Sequence, residues 1–243
     1  MSFRLHLLFY EGATLQYLCA LKKTIIIMGI NIEKYTALIT ELDKKATLVA
    51  VSKTKPAEDI QALYDLGQRD FGENYVQELV DKQAALPKDI RWHFIGHLQS
   101  NKVKYIAPFV YLIHGVDSMN LLKEINKEGA KNNRVIDCLL QVFIAKEETK
   151  FGLNEDELKE LITEAQNFKN IQLKGLMGMA SNSDDLNLVG DEFNSLHLLY
   201  AKHPEFNNLS MGMSGDYQLA IEKGSNMIRI GSLLFGERNY NKI

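Results

Sequence analysis

The chain has 243 residues, 46% hydrophobic and 24% charged, and its 28 basic and 31 acidic side chains give a formal net charge of -3. That composition supports one large soluble α/β domain or two small ones, and it argues against a global positive field for nucleic acid or an anionic membrane. The two cysteines, Cys19 and Cys138, form no CxxC, metal-ligand spacing or disulfide framework, so buried thiols in a reducing compartment are expected.

Residues 1–28 read differently from the rest. Glu11 interrupts their apolar patch, no small-residue cleavage site follows a continuous apolar region, and no run approaches the roughly 20 apolar residues of a spanning helix. A natural beginning is Met28, followed by Asn31 as the cap of a helix whose apolar face is Ile32, Tyr35, Leu38, Ile39 and Leu42. Residues 1–27 are therefore expected to be a non-native or disordered extension, and 28–243 a single domain.

From there the chain alternates strand-like and helix-like segments. Strands are expected at Thr47–Lys53, Asp70–Glu73, Trp92–Gly96, Tyr111–Val116, Val135–Ile144, Leu173–Met179, Leu209–Met213 and Met227–Phe235. Amphipathic helices are expected at Glu58–Leu66, Met119–Lys131, Glu155–Phe168 and Leu188–Lys202. About eight βα units without a second composition regime favour a closed (β/α)8 barrel, the TIM-barrel architecture, over an open doubly wound sheet.

In such a barrel, reactive groups sit at the carboxyl ends of the strands. Lys53 ends the first strand in "TLVAVSKTKPAEDI", where Pro56 suits the first helical position and Glu58 and Asp59 complement the helix dipole. An amine held in a partly desolvated mouth has a lowered pKa, and its neutral fraction can form a Schiff base with an aldehyde. Lys55 is the nearby rival, and a snorkelling surface lysine is the bland alternative.

Two small-residue loops near the C-terminus fall where barrels commonly bind phosphate. Ser214 and Gly215 are expected to open a helix through Tyr217 and Ile221, while Gly231 and Ser232 follow Arg229 in the last strand. Met227, Arg229 and Gly231 share one strand face, so an acceptor is expected beside the interior guanidinium. A lysine for an aldehyde, a phosphate cradle and an interior arginine together suggest pyridoxal 5'-phosphate (PLP).

The motifs "LVAVSKTKP", "DFGENYVQE", "WHFIGHLQSNK", "KEETKFG", "LKGLMGMA", "LSMGMSGD" and "IRIGSLLFG" run in order from Leu48 to Gly236. They resemble the pyridoxal-phosphate homeostasis protein family, the proline-synthase co-transcribed group, similar in fold to the N-terminal barrel of alanine racemase. The resemblance implies Lys53 as the Schiff-base lysine, Asn74 beside the cofactor, Ser214, Gly215, Gly231 and Ser232 around the phosphate, and Arg229 facing the pyridine nitrogen. His93 and His97 belong to the family motif, either at the mouth or as structural histidines. Gln99, Asn101 and Lys102 either touch ligand or orient a loop, and Lys150 serves cofactor transfer or is a solvated loop charge. Met211 and Met213 read as core fillers.

The resemblance further implies a cytoplasmic protein that binds and buffers PLP, with delivery to PLP-dependent apoenzymes as a partner role, and without efficient turnover. A racemase of this fold needs a second base, commonly from another domain, and an arginine at the pyridine nitrogen weakens the ring as an electron sink. A monomer is expected. The alternatives are a weak PLP-dependent racemase or decarboxylase using Lys53 alone or with Tyr75 or Tyr217, and a cofactor-free barrel, either a Schiff-base aldolase or a scaffold for protein partners.

Overall fold

The computed structural model describes residues 29–146 and 151–236. The N-terminal extension, Cys19 and Lys150 lie outside the described residues. The helix predicted after Met28 is α1, Ile32–Leu42. Asn31 caps it by accepting from the Lys34 N–H, and it buries Tyr35, Leu38 and Leu42 while Ile39 stays exposed.

Eight parallel strands come next, in chain order and closed on themselves: β1 Thr47–Val51, β2 Asp70–Glu73, β3 Arg91–Phe94, β4 Leu112–Val116, β5 Ile136–Gln141, β6 Ile171–Met177, β7 Asn208–Ser210 and β8 Met227–Ile230. Pairing of β1 with both β2 and β8 closes the ring and excludes the open sheet. Outside the ring lie α2 Ala57–Asp65, α3 Val76–Ala85, α4 Val103–Ile106, α5 Met119–Lys131, α6 Glu155–Ala165, α7 Leu186–Ala201, α8 Tyr217–Glu222 and α9 Ser232–Phe235. Among the described residues no helix is long and apolar enough to cross a membrane.

The main core fills the space between strands and helices, where Phe71, Phe94, Phe193, Leu79 and Ile106 are fully buried. Burying each such side chain is worth about 1.5–3 kcal/mol. A smaller layer of Val49, Leu112, Leu139, Met177 and Met227 plugs the barrel from inside. Cys138 is buried as expected, and burial pushes its thiol above the ordinary range, so it is a packing residue.

Strands β1, β3, β5 and β6 end two or three residues earlier than expected, at Val51, Phe94, Gln141 and Met177, and four further differences bear on the site. The predicted last strand stops at Ile230, and Ser232–Phe235 forms the short α9, which buries Leu234 and Phe235; the Leu234 carbonyl accepts the Asn31 N–H. An apolar run cannot by itself separate strand from buried helix. The seventh strand ends at Ser210, because Gly212 takes a φ of 96° and turns the chain. Pro56 is the cap of α2 and not its first helical residue. Ser214 and Gly215 sit in a turn before α8, which Asp216 precedes, so Ser214 is no helix cap.

Candidate functional site

Period two along each strand decides what enters the barrel. On β1, Val49 is in the interior layer, so Val51 and then Lys53 continue on the same side and emerge at the carboxyl end. On β8, Arg229 pairs in register with Val49, and Gly231 is the next residue upward on that face. The result is an upper cavity of about 310 Å³. All seven residues expected to hold a cofactor line it: Lys53, Asn74, Ser214, Gly215, Arg229, Gly231 and Ser232. Val51, Ile95, Met179 and Met213 add apolar wall, and among the described residues no carboxylate belongs to the lining.

The backbone around Lys53 is clamped by a group that sequence reasoning missed. Buried Lys82, on α3, donates to the Ser52 carbonyl at 2.8 Å, to Glu73 Oε1 at 2.7 Å and to Glu78 Oε1 at 2.6 Å. The Ser52 hydroxyl donates to Glu73 Oε1 at 2.7 Å, and the Thr54 N–H donates to Glu78 Oε1 at 2.6 Å. Both neighbours of Lys53 are thereby tied to one buried ammonium. Thr54 itself has a φ of 63°, an unusual conformation for a β-branched residue that costs on the order of 1–3 kcal/mol. Burial drives the Glu73 carboxyl up to about 7, only partly offset by Lys82. The nine-residue separation of Glu73 and Lys82 carries no recognisable signal in sequence.

Lys55, the rival lysine, also reaches the cavity wall, but its ammonium donates to the Phe235 carbonyl at 2.6 Å. It acts as a tie between the β1 loop and α9.

Asn74 follows β2, and its Oδ1 is buried with no hydrogen-bond partner among the described residues. Such an acceptor inside a protein costs about 1–3 kcal/mol unless a ligand or water meets it. Ser214 Oγ accepts the Gly231 N–H at 3.3 Å and so joins the two predicted loops. Among the described residues the N–H groups of Ser214, Gly215 and Ser232 meet no acceptor. A methyl group placed on Gly215 would meet nothing within 4 Å, so the space beside its backbone is open. Amide and hydroxyl donors around an open space suit an anion.

Arg229 is fully buried, and the acceptors it needs are the Ser210 carbonyl at 2.9 Å, the Ser210 hydroxyl at 2.7 Å and the Gly178 carbonyl at 3.1 Å. The expected partner is therefore a set of neutral oxygens. Burial lowers the guanidinium pKa to about 10, with Asp216 opposing, so it remains a cation at neutral pH.

Other expectations fare differently. His93 is buried in the barrel but belongs to the lower mouth, away from the upper cavity. His97 is exposed, 3.2 Å from Asp117 Oδ2 and stacked on Phe151, outside the cavity lining. Gln99, Asn101 and Lys102 lie in or beside an exposed turn over Ser100–Lys102 and do not line the cavity, as a loop-orienting role requires. Met211 is a core filler as read, whereas Met213 is 39% exposed and forms cavity wall. Tyr217 donates its hydroxyl to Glu41 at 2.9 Å, and Tyr75 is 58% exposed, so neither lines the cavity as a proton shuttle would.

These residues suit PLP: an amine for its aldehyde, a cation for its ring nitrogen and donors for its phosphate. The comparisons with known proteins agree. The sequence model of the family described as "Alanine racemase, N-terminal domain" matches residues 30–239. The chain is 44% identical over 201 residues to the pyridoxal phosphate homeostasis protein of Aquifex aeolicus, covering 80% of this chain and 88% of that one. It is 37% identical over 207 residues to the protein of that name from Escherichia coli K12, covering 82% and 88%. Among solved structures, PipY of Synechococcus elongatus PCC7942, determined with PLP bound, superposes with a TM-score of 0.77 at 34% identity over 84% of this chain and 99% of that one. The alanine racemase of Bartonella henselae, at 18% identity and a TM-score of 0.64, covers 86% of this chain and 60% of its own, and shares the fold. Architecture, motif order and these likenesses place the chain in the pyridoxal phosphate homeostasis protein family, built on the alanine racemase N-terminal barrel.

Proposed function

We propose that this protein binds PLP in the upper cavity, buffers its reactive aldehyde in the cytoplasm and hands it to PLP-dependent apoenzymes, working as a monomer without efficient turnover. One observation carries the reading: Lys53, Arg229 and the Ser214–Gly215 and Gly231–Ser232 loops converge on a single cavity. Lys53 is the proposed point of covalent attachment. The two loops would supply backbone N–H and hydroxyl donors for the phosphate, Asn74 would offer its Oδ1, and Arg229 would face the pyridine nitrogen.

When bound, PLP supplies an aldehyde for amines and a ring that can accept electrons. The lining restricts proton transfer. Among the described residues its titratable side chains are Lys53, Lys55 and Arg229; Lys55 is bonded to Phe235 and Arg229 to Ser210 and Gly178. Among the described residues, no further acid or base lines the cavity to exchange a second proton. A guanidinium held cationic also disfavours protonation of the ring nitrogen, which weakens the electron sink.

Titration of the purified protein with PLP, followed by visible absorbance and by α-proton exchange of added amino acids into deuterated water, tests both halves of the reading. Saturable uptake with a new visible band and slow exchange are expected. Failure to take up PLP overturns the binding role, and rapid enzyme-like exchange overturns the claim of no efficient turnover.

A further inference from the structure

Arg229 is held from behind by a chain of side chains that runs down the barrel axis to the opposite mouth. Below the Ser210 hydroxyl, His114 Nδ1 lies 3.1 Å away, and His114 Nε2 is 2.9 Å from His93 Nδ1. His93 Nε2 is 3.0 Å from Asp70 Oδ1, and Arg91 closes the end with bonds of 2.7 and 2.5 Å to the two Asp70 oxygens. Asp70, Arg91 and His93 line the lower cavity, and Arg229 lines the upper one. Ser210, His93 and His114 are fully buried.

The two ends fix the direction of every bond between them. A guanidinium only donates, so Ser210 Oγ accepts from Arg229; an ionised carboxylate only accepts, so His93 Nε2 carries a hydrogen. A neutral imidazole has one donor and one acceptor. His93 Nδ1 then accepts from His114 Nε2–H, and His114 Nδ1 accepts the Ser210 hydroxyl hydrogen. All the bonds point away from the cofactor cavity, and their negative ends face the guanidinium. The groups around the histidines fit neutrality. Arg91 and the Tyr111 ring flank His93, Arg229 stands beyond Ser210, and burial holds both imidazoles below the ordinary histidine range.

We propose that His114, acting through Ser210, is a positioning residue for Arg229: the one-way chain Ser210–His114–His93–Asp70 fixes the guanidinium so that its remaining donors meet the ring nitrogen at a set angle. Three of the five guanidinium N–H groups are engaged by Ser210 and Gly178, which leaves two that these bonds do not use. The proposal rests on the PLP reading, deepens it, and gives the charge of the lower mouth a role in the upper one.

The direct test is long-range proton–nitrogen correlation NMR of the full chain with ¹⁵N-labelled histidine, before PLP is added. His93 and His114 should both be neutral at pH 7 with hydrogen on Nε2. An imidazolium, or hydrogen on His114 Nδ1, overturns the chain whether or not PLP binds. The second test compares Ser210→Ala, His114→Leu and His114→Gln with the parent after loading with PLP. Ser210→Ala and His114→Leu should change the ratio of the two absorbance bands of the bound cofactor and weaken PLP binding about tenfold, the effect of losing one hydrogen bond to a charged group. His114→Gln, which keeps one donor and one acceptor, should restore both. Lower melting temperatures with unchanged bands and affinity would make the chain merely structural and overturn the proposal. If His114→Leu does not fold, Ser210→Ala decides, because it removes a single hydroxyl. A parent protein that stays colourless would sink the PLP reading and leave the NMR result standing.

Discussion

At the lower mouth of the barrel a cavity of about 430 Å³ is lined by Asp70, Arg91, Asp137 and Lys174, and each charge has a counter-charge beside it. Arg91 and His93 bond Asp70, and Lys174 lies 3.7 Å from Asp137. At the upper mouth a cavity of about 310 Å³ is lined, among the described residues, by Lys53, Lys55 and Arg229 beside Asn74 and two small-residue loops. Its wall holds an amide oxygen with no partner and N–H groups without acceptors among the described residues. The difference teaches how to tell a mouth that closes a barrel from one that waits for a ligand. Size does not separate them, but polar satisfaction does.

The comparison can be broken most severely at Lys53. Lys53→Ala should abolish covalent uptake of PLP, whereas Asp137→Asn in the lower mouth should leave uptake unchanged and shift stability by less than about 1 kcal/mol, as expected for a partly exposed pair. Equal losses in the two variants, read by absorbance and thermal melting, would erase the distinction.

A smaller effect is expected at the phosphate cradle. Gly215→Val places methyl groups in the open space beside the loop and should weaken PLP binding roughly tenfold to a hundredfold with little change in melting temperature, since nothing packs there. Retained affinity would mean that the phosphate lies elsewhere.

The smallest effects concern pH, and the two ends should differ in sign. Glu73, behind the upper site, is raised from 4.5 to about 7, so the unfolded chain ionises first. Its contribution is present below about pH 4.5 and lost as pH rises towards 7, a loss of at most about 3 kcal/mol. His93 and His114 are lowered from 6.5, so their contribution is present above that value and lost as pH falls through the folded values. Urea unfolding between pH 4.5 and 8 should therefore show Glu73→Gln flattening the loss towards neutral pH and His114→Gln flattening the loss towards acid. Parallel changes in both variants would contradict these assignments.

Much of the barrel and its upper site was legible in the sequence because it depends on local periodicity. The strand beginning at Thr47 and the small-residue loops after Met211 and Ile230 carry their own pattern, and a barrel brings such segments to one end. The histidine chain was not legible, because Asp70, His93, His114 and Ser210 lie on four strands and meet only through closure of the ring. His93 could be read only as a motif residue of either role, since strand parity does not say at what depth a side chain stops. The Glu73–Lys82 clamp was hidden for a similar reason: its partners reach Ser52 and Thr54 across a strand-to-helix packing.

The central claim is that Lys53 carries PLP. Borohydride reduction of the PLP-loaded protein, followed by peptide mass mapping, tests it most directly. A reduced phosphopyridoxyl adduct on Lys53, and none on Lys55, is the result expected. An adduct confined to Lys55 or to surface lysines, or none despite saturating PLP, would contradict it.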